Sequence, residues 1–188
     1  MHIQLITGLG NFDSRYHGTR HNIGFAFLDQ LASRHQLTWK KHPNAHGNSC
    51  TWQHPCGKII LFKPTKLMNI NGGPIAQCLH YHKISPDNML VAYDDMAFPV
   101  GTVKLKEKGG HGGHNGIRDI LLHTSTPNFA RLRFGIDRPH DKHFVSSYVL
   151  SRPTPEESRI LEKTVADSIE NIDNIIERRW QKFIEAMQ

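Results

Sequence analysis

The sequence has no run of 18 or more apolar residues, which excludes a membrane-spanning helix. Its first residues enter an apolar stretch without a basic flank or a small-residue cleavage site, so no secretory signal is expected. Cysteine is scarce: Cys50, Cys56 and Cys78 are odd in number and form no CxxC pair. That count argues against a disulfide framework, and idle or buried thiols in a reducing cytoplasm are expected. Internal repeats and low-complexity linkers are missing too. Acidic side chains are absent from a long middle segment: between Gln30 and Pro86 there is no Asp or Glu, against seven Lys or Arg. Residues 1–155 carry 18 basic and 9 acidic groups, whereas residues 156–188 carry 5 and 8. The imbalance favours a polyanionic partner, nucleic acid first, although a basic soluble protein without such a partner has the same composition.

What is present fits one globular domain. A chain of 188 residues with 38% hydrophobic and 21% charged content buries one core comfortably, and two would be crowded. Strand and helix patterns alternate along it, the signature of an α/β fold. Strands are expected at 3–7, 37–41, 48–62, 89–93, 103–106 and 129–136. Helices are expected after Asn22 (Phe25, Leu28, Leu31 and Ala32 on one stripe), over 72–83 with Pro74 near its start, and over 117–123. Thr154 and Glu157 make a capping box with Pro155 at the first helical position. The stripe Leu161, Val165, Ile169, Ile172, Ile176, Trp180, Phe183 and Met187 then predicts a helical segment, 155–188, packed on the domain, with a break near Arg178.

The chemistry gathers at the end of the first strand. LITGLGNFDSRYHGTRHNIGFAFL reads as strand, polar loop and helix, with the polar groups at the carboxyl edge where open α/β sheets place ligands. GLGN lacks the third glycine of a dinucleotide fingerprint, so a nucleotide cofactor is not supported. His21, in TRHN, has the residue type for a general base near neutrality, and a carboxylate would fix its tautomer. Asp94 or Asp95, ending a buried strand, is placed to supply it. His111 and His114 in HGGHNG are too few for a zinc site, and the Cys50–Cys56 spacing does not complete one. The glycines suit a loop lying against a substrate or an anion pocket. Asn11, Asn69 and Asn115 sit near helix starts, where capping is the ordinary use of Asn; the functional alternative is gripping a peptide group or a water. Lys104, Lys106, Lys108, Arg118, Arg131 and Arg133 offer a phosphate-binding face, with Arg131 and Arg133 on one side of a strand.

Five blocks in order carry a resemblance: TGLGN with Tyr16 and TRHNIGF; KPTKLMNINGG; VAYDDMAFPVG; KLKEKGGHGGHNGIRDI; and FARLRFGIDRP with YVLSRP. Together they cover residues 1–152 and resemble the bacterial peptidyl-tRNA hydrolases. The resemblance implies a single three-layer α/β/α domain, residues 1–188, around a twisted mixed sheet. It implies cleavage of the ester between a peptide and tRNA by a cytoplasmic monomer, with no metal, organic cofactor or membrane partner. It places the base on His21, its orienting carboxylate on Asp94, and a test for an acylated amino group on Asn11. Asn69 and Asn115 would hold the peptide backbone and the attacking water, with His114 lining the cleft. Tyr16 and Leu67 fall at substrate-binding positions, and Lys106 and Arg133 match a clamp on the tRNA 5′ phosphate. The sequence departs from the family pattern at Phe12-Asp13, Leu67, Asn71 and Ala97. A protein that binds RNA on this fold without turnover, and a metal-dependent hydrolase, are the competing readings.

Overall fold

Two apolar runs with almost no polar alternation, Leu5–Gly8 (β1) and Met89–Asp95 (β5), lie side by side in the computed structural model, which describes residues 1–188. Runs of this kind form strands covered on both faces. All of β1 and the first six residues of β5 are buried. They form the middle of a seven-stranded mixed sheet. Gly57–Pro64 (β4), β1, β5 and Ala130–Gly135 (β7) run parallel. Lys40–Lys41 (β2) and Gly47–His54 (β3) continue antiparallel beyond β4, and Val103–Lys106 (β6) closes the other edge antiparallel to β7. The strand order is β2-β3-β4-β1-β5-β7-β6.

Helices cover both faces, so the architecture is the expected three-layer α/β/α. Ile23–Arg34 (α1), Pro155–Glu170 (α5), Ile172–Ile176 (α6) and Trp180–Ala186 (α7) pack on one face. Phe27, Leu31, Leu161, Val165 and Ile176 there meet Ile6, Leu61, Leu90 and Phe134 of the sheet. Gly72–His82 (α2) and Asn115–Thr124 (α3) pack on the other, where Ile75, Leu79, Ile117 and Ile120 meet Leu5, Phe62, Val91 and Tyr93. No helix is long and apolar enough to cross a membrane.

Local chemistry explains most boundaries. The Thr154–Glu157 capping box forms in both directions, and Pro155 opens α5. The tail breaks at Arg178, whose φ is 58°, and also turns at Asn171. Three expectations shift, and one further helix is present. The strand anticipated at 37–41 is confined to Lys40–Lys41. α3 begins at Asn115, two residues early, because His114 caps it through a ring nitrogen. A short helix, Val145–Val149 (α4), has too few residues to show periodicity in sequence. Arg131 is 1% exposed, so it is no part of a phosphate-binding face.

Two glycines bring the first loop onto the sheet. A methyl group on Gly8 would overlap the Gly24 carbonyl, and one on Gly24 would overlap the Ala92 carbonyl. The start of α1 therefore passes directly over the ends of β1 and β5, within reach of Asp94.

Candidate active site

The first loop is held by amide side chains acting on backbone. Asn22 Oδ1 accepts from Asn11 N–H at 2.8 Å, and its Nδ2 donates to the Asn11 carbonyl at 2.9 Å. Asn71 Oδ1 accepts from Gly10 N–H at 3.2 Å, while Asn71 Nδ2 donates to the Leu67 carbonyl at 2.8 Å. Asn11 Oδ1 in turn accepts from Met68 N–H at 2.7 Å. That donor fixes the orientation of the Asn11 amide and leaves Nδ2 as its free hydrogen-bonding group. Asn71, one of the departures from the family pattern, is fully buried and links both loops. Arg20 anchors the segment from the other side, donating to Ser151 Oγ at 2.5 Å and Glu157 Oε2 at 2.6 Å with its guanidinium over the Tyr148 ring.

Asp94, next to last in β5, lies between two imidazoles. Its Oδ2 lies 2.8 Å from His21 Nδ1 and its Oδ1 lies 2.9 Å from His114 Nε2. Its side chain is 2% exposed, against 15% for His21 and 10% for His114. Burial favours a neutral carboxyl, but the two histidines outweigh it and hold Asp94 well below the usual carboxylate range. For His21, burial favours the neutral ring; the charge and hydrogen bond of Asp94 prevail and raise its pKa above the ordinary value. An ionised Asp94 makes His21 Nδ1 the protonated nitrogen. His21 Nε2 then carries a lone pair and has no protein partner.

The tautomer of His114 follows from a different contact. Its Nδ1 accepts the Ile117 N–H at 3.4 Å, so Nε2 must bear the proton that it donates to Asp94. Both nitrogens are occupied, and His114 is an orienting group for the carboxylate rather than a second base. The same bonding argues against a cation among His21, Asp94 and His114, although their ligand atoms lie within 4.8 Å of one another. A metal would need the His114 Nε2 lone pair, and that nitrogen is protonated. A second such group, His42, Cys78 and His82, meets the same objection. His42 Nδ1 accepts from Asn44 and Ala45 N–H at 3.2 and 3.1 Å, so its Nε2–H donates to His82 Nε2 at 3.0 Å.

A cavity of about 590 Å³ opens beside this group. It is lined by six of the ten residues that the resemblance assigns to the site: Asn11, His21, Asn69, Asp94, His114 and Asn115. Asn115 Oδ1 accepts from Arg118 at 2.8 Å, which leaves its Nδ2 for another partner. Asn69 is exposed and has no side-chain hydrogen bond within the protein. The remaining four stand outside the lining. Leu67 is half exposed beside it, next to Met68, which does line the cavity. Tyr16 lies in the 14–16 turn with Arg15 over its ring. Arg133 Nε donates to Asp95 Oδ2 at 2.8 Å, and Lys106 projects from β6, its side chain beside Gly109. His111, weighed in the sequence only as a metal ligand, also lines the cavity, as do Met68, Met96, Arg138 and the Val145–Leu150 wall, which the sequence did not single out. Arg138 sits inside the quoted FGIDRP block, so a signal for it was present; α4 gave none.

A family model described as peptidyl-tRNA hydrolase matches residues 5–188. The chain is 39% identical over 180 residues to the peptidyl-tRNA hydrolase of Neisseria meningitidis serogroup C, covering 96% of this chain and 94% of that one. It is 39% identical over 188 residues to the peptidyl-tRNA hydrolase of Halorhodospira halophila, with coverage of 96% and 93%. The crystal structure of peptidyl-tRNA hydrolase from Acinetobacter baumannii superposes with a TM-score of 0.93 at 35% identity, covering 98% of this chain and 94% of that one.

Proposed function

The chain belongs to the peptidyl-tRNA hydrolase family and is an enzyme that hydrolyses peptidyl-tRNA; from that premise we propose that His21 activates the attacking water, without a metal, in the cavity beside Asp94. The observation that carries the reading is the 2.8 Å contact between His21 Nδ1 and buried Asp94, which leaves the other ring nitrogen unpartnered on a cavity-lining side chain.

Water gives a proton to His21 Nε2 as its oxygen bonds to the ester carbonyl carbon. The resulting imidazolium lies against the Asp94 carboxylate. The carbonyl π pair moves onto oxygen, where the free Nδ2 groups of Asn69 and Asn115 are the available donors. Collapse of the tetrahedral species breaks the carbon–oxygen bond to the terminal ribose. The departing ribose oxygen takes the proton back from His21 Nε2, giving a peptide acid and tRNA with both terminal hydroxyls free. A positioned base contributes about 10²–10⁴-fold, and the rest comes from holding water and ester together and from the amide donors.

Asn11 separates blocked from unblocked substrates by hydrogen-bond polarity. Its free Nδ2 is a donor. An acylated amino group brings a carbonyl oxygen that accepts from it, whereas a free α-ammonium brings only hydrogens. The test is to incubate the protein with N-acetyl-aminoacyl-tRNA and with unblocked aminoacyl-tRNA, each with and without EDTA. Release of tRNA from the blocked substrate alone, undiminished by chelator, is expected. Loss of release in EDTA would replace the water-activation scheme with a metal-assisted one, and equal release from both substrates would remove the role of Asn11.

A further inference from the structure

Charge inside the cavity is unevenly satisfied. Asp94 has two imidazole partners, and Asp95 has Arg133. Arg138 is the only Lys or Arg that lines the cavity, and it has no carboxylate within 4.0 Å and no hydrogen bond from its guanidinium. Most other arginines are tied: Arg20 to Glu157, Arg131 to three backbone carbonyls, Arg178 to Asp87 and Asn88. An unpaired cation kept at the mouth of a reaction cleft points to an anionic group on the substrate.

The backbone beneath Arg138 is fixed. Ile136 is fully buried, its N–H donates to the Asp95 carbonyl at 3.1 Å, and its carbonyl accepts from Tyr148 OH at 2.5 Å. Asp137 takes a left-handed conformation, φ 65°; its N–H donates to the Phe98 carbonyl at 2.9 Å and its carboxylate accepts from Arg138 N–H at 2.8 Å. The Cα of Arg138 is therefore anchored to the carboxyl end of β5 while its side chain is exposed.

The lining carries two kinds of group. Asn11, Asn69 and Asn115 supply amides suited to a peptide, whereas the Tyr148 OH bond to the Ile136 carbonyl ties α4, which contributes Val145, Ser146 and Val149 to the lining, to the segment that carries Arg138. We propose that Arg138 binds the phosphodiester immediately 5′ of the terminal nucleoside, so that the nucleotide enters on the α4 side and the acyl group lies on the amide side. This assignment rests on the hydrolase reading above. It is separate from the Lys106–Arg133 pair, which lies outside the cavity.

The experiment compares N-acetyl-phenylalanyl-adenosine with the same ester carrying a 5′-phosphate. The wild type should favour the phosphorylated ester in kcat/KM by about tenfold, the size of a charge-assisted contact in a partly exposed site. In Arg138→Gln that preference should collapse to near unity, and Arg138→Lys should keep part of it. A preference undiminished in Arg138→Gln, or absent from the wild type, overturns the assignment. The two readings fail separately. A wild type that releases no tRNA from N-acetyl-aminoacyl-tRNA removes the hydrolase mechanism, whereas one that releases tRNA yet ignores the 5′-phosphate removes only Arg138.

Discussion

Asp94→Asn is the sharpest perturbation, because the two imidazoles make opposite demands on an amide. The carboxylate accepts on both oxygens, at 2.8 Å from His21 and 2.9 Å from His114. An amide has one acceptor and one donor end. His114 cannot adapt, since the Ile117 N–H holds its Nδ1 as an acceptor and so keeps the proton on Nε2. The amide oxygen must turn to His114, and the NH₂ end then faces His21 Nδ1. That nitrogen becomes the acceptor, and the His21 proton moves to Nε2, where the base is needed. The loss should be about 10⁴-fold in kcat, the size that accompanies a wrong tautomer in a hydrolytic triad, with little change in KM. Steady-state hydrolysis of N-acetyl-aminoacyl-tRNA reads it. The pH profile supplies an independent check. In the wild type the base works unprotonated, and Asp94 raises the His21 pKa, so kcat/KM should rise with pH through an inflection above the ordinary imidazole value of about 6.5. In the variant, burial acts unopposed and the inflection should move down. The decisive arm is Asp94→Asn combined with His114→Leu. With His114 gone the amide is free to turn its oxygen to His21, and kcat should recover about tenfold over Asp94→Asn alone. A double variant no more active than the single one would refute the tautomer argument.

Three further outcomes follow from other contacts. Asn11→Asp keeps the acceptor for Met68 N–H but loses the Nδ2 donor; kcat/KM for the blocked substrate should fall about 10–100-fold, narrowing the gap to unblocked aminoacyl-tRNA in the paired assay. Gly24→Ala forces a methyl against the Ala92 carbonyl and should cost about 1–3 kcal/mol in urea denaturation, with a fall in kcat as His21 is displaced; an unchanged midpoint would show that the close approach relaxes freely. Acid should weaken the fold through the His42–His82 pair, since burial lowers both pKa values, with His42 and Lys58 also repelling a proton on His82. The unfolded chain then takes up protons first, so this contribution is intact above about pH 6.5 and is lost as pH falls through the folded values. His21, with its raised pKa, acts in the reverse sense, its contribution present in acid and lost as pH rises. His82→Gln isolates the pair, because Gln accepts from His42 without titrating; a denaturation midpoint as acid-sensitive as that of the wild type would clear the pair of any role.

The elements legible in the sequence were those whose pattern is local. β1 and β5 announce themselves as unbroken apolar runs, and α5 by its capping box. Local pattern says which residues share a face, but not what covers that face. Arg131 and Arg133 do share one side of β7, as their spacing requires. Arg131 is nevertheless sealed beneath the carbonyls of Gly109, Pro127 and Phe129, whereas Arg133, two residues on, reaches Asp95. A residue's depth is decided by chain that returns from elsewhere, and alternation carries no trace of it.

The same limit explains why the residues alone left Asp94 and Asp95 as equals and only the family resemblance chose between them. Both end the same strand, and side chains alternate across it. Consecutive carboxylates must therefore part company: Asp94 takes the two histidines and Asp95 takes Arg133. The choice between them is made by Gly8 and Gly24, which let α1 approach until His21 meets the first carboxylate. It is completed by His114, whose capping bond to α3 fixes the tautomer that holds that carboxylate from behind. Neither glycine bears a functional group, and His114 uses both ring nitrogens on protein partners. The two glycines are thus residues that a search for reactive side chains passes over, and changing them should impair catalysis while leaving His21 and Asp94 themselves in place.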